Sequence, residues 1–243
     1  MEDAYSDIAQ LYDMMRTDVP YKKWAEYLKG FFPEGGRKVL DCACGSGKVA
    51  IGLAKLGFDV TGSDISESML ERAAQNARNA GARVAFVKQD MRAIRLHTPV
   101  DAITCVFDPV NQLLNEKQVK AFLRSASDAL KSGGVLLFDT VTERAFDERY
   151  EYSEGGDYAV TIEKMPPDGD RLAHIAVTGF ILEKNGLYRR VGSRMDYRIH
   201  DAQEITKWAD EAGFDCRVLG HLTQMAPENG EYRLQFVCKK RGE

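Results

Sequence analysis

Residues 38 to 64, KVLDCACGSGKVAIGLAKLGFDVTGSD, place the tightest condition on how this chain can fold. Lys38 to Asp41 is a short apolar run ending in an acid. Cys42 to Gly47 is a turn of small residues, Val49 to Leu56 has helical spacing closed by Gly57, and Phe58 to Ser63 is a second apolar run ending in Asp64. In order these are strand, tight loop, helix and strand, the unit from which open parallel sheets are built. Gly45 and Gly47 let the backbone approach a ligand closely, and the first turn of the helix directs unpaired N–H groups into the same space. Asp64, at the end of the second strand, is placed to accept hydrogen bonds from vicinal ribose hydroxyls.

The stretch resembles motif I and the following acidic motif of the class I S-adenosylmethionine-dependent methyltransferases. Their VLDxGCGxG reads here Val39-Leu40-Asp41-Cys42-Ala43-Cys44-Gly45-Ser46-Gly47, with Ala43 where the first glycine is expected. A dinucleotide fold requires G-x-G-x-x-G, and this loop supplies Ala43, Gly45 and Val49 at nearby positions, a poor fit. The resemblance implies an α/β fold: a Rossmann-like, doubly wound, seven-stranded and mostly parallel sheet. It implies S-adenosyl-L-methionine as cofactor, S-adenosyl-L-homocysteine as product, and cofactor contacts at Asp41, Ala43, Cys44, Gly45, Gly47, Asp64 and Ile65.

Ahead of this unit, apolar spacing at Ile8, Leu11, Tyr12 and Met15, a break at Pro20, and then Trp24, Tyr27 and Leu28 predict two short amphipathic helices joined at Asp18 to Pro20. The Tyr-x-x-Ile-Ala-x-x-Tyr-Asp pattern from Tyr5 to Asp13 resembles a segment that covers the cofactor pocket in many small-molecule methyltransferases. That makes Tyr12 a candidate cofactor contact and Tyr5 and Arg16 candidate substrate contacts, although tyrosines at helical spacing also serve simply to pack a helix.

Beyond Asp64, Ser66 caps a helix with an apolar face at Met69, Leu70, Ala73, Ala74 and Ala77, ending at Gly81. Arg83 to Lys88 is a third strand. It ends at Gln89-Asp90-Met91, where the resemblance places adenine against Asp90 or its backbone and Met91. Asp101 to Phe107 is a fourth strand whose carboxyl end should border the ligand crevice. The segment Asp108-Pro109-Val110-Asn111-Gln112 is similar to the Asp/Asn-Pro-Pro-aromatic loop of many N-methyltransferases but lacks the second proline and the aromatic. Phe107 remains a cofactor-pocket residue on this reading, and Asp108 is either a turn residue or a weak catalytic candidate. Glu116 to Leu130 is a helix, and Val135 to Asp139 the fifth strand.

The period then changes to two, with runs at Tyr158 to Lys164, Leu172 to Glu183 and Tyr188 to Ile199 separated by Pro166-Pro167-Asp168-Gly169 and Lys184-Asn185-Gly186. This predicts an inserted antiparallel β subdomain or lid over residues 141–200. The methyltransferase domain is then formed by 1–140 and 201–243, with 1–30 as a helical cover. In the third run Val191, Met195, Tyr197 and Ile199 share one face. Arg190, Arg194 and Arg198 share the other with Asp196, a candidate surface for an anionic substrate or a solvated strand face. Asp201 to Glu204 is a capping box, followed by a helix stopping at Gly213. Phe214 to Leu219 and Tyr232 to Lys239 are the last strands, forming an antiparallel edge to the sheet.

At 243 residues the chain can bury a full core. No apolar run approaches the roughly 20 residues of a membrane span, and the start, MEDAYSDIAQ, is too acidic for a signal peptide, so a cytoplasmic protein is expected. Five scattered cysteines are expected to be reduced core thiols, and neither they nor the four histidines have metal-ligand spacing. His200 is a weak catalytic candidate because it lies where the insert rejoins the main domain. The net charge of -4 argues against nucleic acid as a partner. The leading expectation is in-line methyl transfer to a small-molecule acceptor by a monomer or homodimer. The alternatives are an RNA or protein methyltransferase and a non-catalytic adenosylmethionine-binding module.

Overall fold

A computed structural model describes residue 5 and residues 7–242. Residues 1–4 and 6 of the expected helical cover, and residue 243, lie outside the described residues. The two amino-terminal helices are α1 (Ala9–Met14) and α2 (Tyr21–Lys29), separated around Pro20. The alternating unit follows as β1 (Lys38–Cys42), α3 (Lys48–Lys55), β2 (Asp59–Asp64), α4 (Glu67–Asn79), β3 (Ala85–Lys88), β4 (Val100–Cys105), α5 (Glu116–Ala129) and β5 (Leu130–Val141). Ser66 caps α4 by accepting from Met69 N–H.

After β5 the chain forms β6 (Tyr150–Glu154), β7 (Tyr158–Met165), β8 (Leu172–Leu182) and β9 (Tyr188–Arg198), and then returns through α6 (Ala202–Glu211), β10 (Phe214–Leu219) and β11 (Arg233–Lys240). Asp201 caps α6 through the amides of Gln203 and Glu204.

The main sheet has seven strands in the order β10-β11-β5-β4-β1-β2-β3, and β11 alone runs antiparallel to its neighbours. The antiparallel strand is therefore slotted inside the sheet, with β10 as the outer edge. Successive residues of β5 bury themselves on opposite faces, Val135 and Leu137 with α2 and α3, Leu136 and Phe138 with α5 and α6. Burial on both faces explains the continuous apolar run of a central strand. On the α5 side, Val119, Phe122, Leu123 and Ala126 are fully buried, and Phe138 stacks on Phe236 at 4.6 Å. Each large apolar side chain so buried contributes about 1.5–3 kcal/mol.

The second sheet is antiparallel, β6-β7-β8-β9, and its inner face packs Val160, Ile162, Val177, Val191, Met195 and Tyr197 against Ile8 and Leu11. Strand β6 escapes the alternation signal because its inward residues, Glu151 and Ser153, are polar while Tyr150 and Tyr152 face outward and are exposed. The cysteine expectation needs correction: Cys216 and Cys238 are joined in a disulfide, and only Cys42, Cys44 and Cys105 are free thiols. The two lie 22 residues apart in sequence, and the antiparallel register of β10 and β11 sets them directly opposite one another, a pairing no local pattern announces.

Candidate active site

The carboxyl ends of β1 to β4 open into one crevice at the point where the strand order reverses between β4 and β1, the usual ligand position of an open α/β sheet. A cavity of about 770 Å³ occupies it. The loop after β1 enters with left-handed backbone at three alternating positions, Ala43 (φ 53°), Gly45 (φ 52°) and Gly47 (φ 78°). Alanine therefore stands at a position that favours glycine, held in a conformation that is strained for any residue with a Cβ. Gly47 is required sterically as well: a Cβ there would sit 2.9 Å from the Ala73 Cβ.

Three acids stand at the strand ends. Asp64 is oriented by the amides of Gly45 and Ser66, which donate to its two oxygens at 2.8 and 2.9 Å. Asp41 is 2 % exposed and accepts from the Thr104 hydroxyl at 2.7 Å. Its Oδ2 is buried with no hydrogen-bond partner among the described residues. Burial pushes the carboxyl up to about 7, against the pull of the Thr104 hydroxyl and the nearby Ala50 amide and with a further push from Asp64. Asp90 accepts from the Arg92 amide and guanidinium, and that pairing holds it below its ordinary value despite partial burial.

Of the residues expected around a cofactor, Tyr12, Asp41, Ala43, Cys44, Gly45, Asp64, Ile65, Asp90, Met91 and Phe107 line this cavity. Gly47 stands behind it at the start of α3. Sequence reasoning missed Tyr21, Lys48, Met69, Gln112 and Ser193, which also line it. Tyr21 and Trp24 of α2 pack on the Phe107 ring, with centroids 5.6 and 4.7 Å away. Asp13 was quoted in a motif but given no role, yet it clamps α1 to the far side of the crevice. It accepts from Arg72 and Asn76 at 2.7 Å, and Asn76 also donates to the Ser46 carbonyl of the loop after β1.

A second cavity of about 240 Å³ lies between α1, the end of β5 and the inner face of the smaller sheet. Tyr5, Tyr12, Phe107 and Met195 line both cavities and mark where they meet. Phe107 (φ 72°) and Asp108 (φ 60°) form a left-handed pair here, and Asp139 holds both by accepting from their amides. Asp108 also accepts from the Tyr197 hydroxyl at 3.0 Å and from Arg233 at 2.6 Å. Asn111 ties this loop to β5 and to the end of β9 through the Val141 and Arg198 carbonyls.

The remaining candidates are dispersed. His200 is buried, donates Nε2–H to the Leu113 carbonyl at 2.8 Å and faces Trp208; burial pulls its imidazole below the ordinary value, and it lines neither cavity. Arg16 lines the smaller cavity. Arg194 reaches the rim of the larger one. Arg190 and Arg198 line neither cavity: they stand on the outer face of β9, opposite the inward Val191, Met195 and Tyr197.

Residues 39–134 match the methyltransferase domain family. Over 241 residues the chain is 31 % identical to "Putative methyltransferase YqeM" of Bacillus subtilis (strain 168), covering 97 % of each. The chain belongs to the methyltransferases. Solved methyltransferases share its fold from end to end. An S-adenosylmethionine-dependent methyltransferase from Clostridium acetobutylicum superposes with a TM-score of 0.83 at 22 % identity, covering 98 % of this chain and 99 % of that one. The sugar N-methyltransferase KedS8 from Streptoalloteichus superposes with a TM-score of 0.80 at 19 % identity, covering 99 % and 96 %. This methyltransferase has no helix among its described residues long and apolar enough to cross a membrane, and no cluster of metal-ligating side chains among them.

The crevice of the methyltransferase suits S-adenosylmethionine chemically. An unpartnered buried carboxylate oxygen on Asp41 matches a cationic amine, and an oriented carboxylate on Asp64 matches a diol.

Proposed function

We propose that this methyltransferase acts on a small-molecule acceptor by in-line displacement, with the donor in the larger cavity and the acceptor approaching through the junction with the smaller one. The observation that carries the reading is the junction itself: two cavities of small-molecule dimensions share a wall made by Tyr5, Tyr12, Phe107 and Met195. The sugar N-methyltransferase fold relationship supports it.

S-adenosylmethionine supplies a methyl group already activated on a sulfonium. The chain's part is to position and to exclude water. Asp64 would hold the ribose hydroxyls, Asp41 the amine end, Asp90 and Met91 the adenine, and the backbone at Ala43, Cys44 and Gly45 the amino-acid portion. Tyr12, Tyr21 and Phe107 would close the site. Asp108 is engaged by Arg233 and Tyr197, and His200 by Leu113, so proximity, rather than a base drawn from these two, carries the rate.

Asp64→Ala should weaken donor binding by about 1.5–3 kcal/mol, the range for hydrogen bonds to a charged group and roughly 10- to 150-fold in Kd. Calorimetry with S-adenosylmethionine measures this, and unchanged affinity removes Asp64 from the site. Incubation of the wild type with labelled donor and separate pools of metabolites, RNA and protein tests the acceptor class. Label is expected in the metabolite pool, and label confined to a macromolecule overturns the small-molecule reading.

A further inference from the structure

The smaller cavity is walled largely by apolar side chains, among them Ile8, Phe146, Ile162 and Val177, yet charged groups also face it. Two of its acids are already satisfied by cations. Asp108 is bridged to Arg233, and Glu151 is paired with Lys164. Arg16 differs. Among the described residues no carboxylate lies within ion-pair distance of its guanidinium, Asp108 and Glu151 acting on it only from farther off, and its guanidinium carbon sits 5.8 Å from the centre of the Tyr12 ring. Arg16 is thus a cation at the solvent-exposed edge of a pocket walled by both apolar and charged side chains, with one face near an aromatic ring that also borders the donor cavity.

We propose, building on the reading of a small-molecule methyltransferase, that the smaller cavity holds the body of the methyl acceptor and that Arg16 selects an acceptor bearing a carboxylate on an apolar or aromatic skeleton. A guanidinium binds a carboxylate through two parallel charge-assisted N–H bonds, a pairing that an uncharged amide does not reproduce. The volume of about 240 Å³, that of roughly eight water molecules, limits the skeleton to about the size of a single substituted ring. The charged groups that line the cavity, Arg16, Lys164 and Arg233 against Asp108 and Glu151, leave one positive charge in excess, which favours a monoanion over a doubly charged phosphate. The three arginines at 190, 194 and 198 play no part in this selection, because they stand on the other face of β9 from the smaller cavity.

The test is calorimetry on the full chain saturated with S-adenosylhomocysteine, titrated with benzoate, phenylacetate and 3-phenylpropionate, with the three corresponding amides, and with phenyl phosphate. At least one acid should bind about tenfold or more tightly than its amide in the wild type. Arg16→Ala should abolish that preference and Arg16→Lys should recover part of it, while S-adenosylhomocysteine affinity and the thermal midpoint stay within error, since Arg16 does not line the donor cavity. Equal affinity for acid and amide, no binding by any acid, a preference that survives in Arg16→Ala, or tighter binding of phenyl phosphate than of every carboxylate would each overturn the proposal. A protein that binds S-adenosylhomocysteine but ignores the acids defeats this inference alone. A protein that fails to bind S-adenosylhomocysteine defeats the donor-site reading beneath it.

Discussion

Arg233 of β11 donates to Asp139 of β5 at 2.9 Å, a pair in which the aspartate is fully buried and the arginine side chain is 13 % exposed. Through its other terminal nitrogen Arg233 also holds Asp108, and Asp139 in turn holds the amides of Phe107 and Asp108. The left-handed pair, Phe107 walling both cavities and Asp108 the smaller one, is therefore fixed by a buried charge network anchored in the one antiparallel strand of the main sheet.

Arg233→Leu should destabilise the fold by about 3–5 kcal/mol, because it strands two carboxylates away from water. Burial already pushes Asp139 above its ordinary value, against the pull of Arg233, so loss of the guanidinium raises it further. A buried acid with a raised folded-state value is stabilising only while protonated, and that contribution is lost as pH rises. The deficit of the variant should accordingly be larger at pH 8 than at pH 5. Urea unfolding of both proteins at the two pH values measures it, and a pH-independent deficit would mean that the carboxylates are not the source.

Asp41 makes a second pH prediction. Its folded-state value is about 7, raised chiefly by burial, against about 3.9 in an unfolded chain. Between those values the folded form keeps a proton that the unfolded form has released. The donor-free protein therefore loses stability on this account as pH rises from about 4 to 7, by an amount on the order of 4 kcal/mol at most. Asp41→Asn should flatten that part of the stability profile. If the ionised Asp41 receives the donor's amine, S-adenosylmethionine affinity should fall by up to about tenfold per pH unit below 7 in the wild type and much less in the variant. Calorimetric titrations between pH 5.5 and 8 read both curves.

Ala43→Gly tests the strain in the loop after β1. A residue with a Cβ in the left-handed region costs roughly 1–2 kcal/mol, of which the greater chain entropy of glycine returns about 0.5–1. The expected outcome is a gain of up to about 1 kcal/mol in unfolding free energy with donor affinity unchanged. A loss of stability would show that the Ala43 methyl makes packing contacts worth more than the strain.

The amino-acid sequence by itself determined the parallel αβ core, the crevice at its strand ends and the antiparallel insert. These rest on local regularities: apolar runs of strand length, helical spacing, capping residues such as Ser66 and Asp201, and the period-two alternation from Tyr158 to Ile199. Such signals survive because backbone geometry imposes the same repeat wherever the element sits. The same regularities placed Asp41, Asp64 and Asp90 at strand ends and hence at one cavity.

Only the tertiary structure decided which distant side chains meet there. Tyr21 reaches Phe107 because α2 folds back over the sheet, and Asp13 meets Arg72 and Asn76 across about sixty residues of chain. Arg233, Asp108 and Asp139 converge because β11 inserts next to β5, and Cys216 meets Cys238 through strand register. The insert's alternation showed that its arginines share a face, yet alternation alone carries no sign telling which face turns inward. That choice follows from apolar burial against α1, which sends Met195 and Tyr197 to the cavities and leaves Arg190 and Arg198 outside.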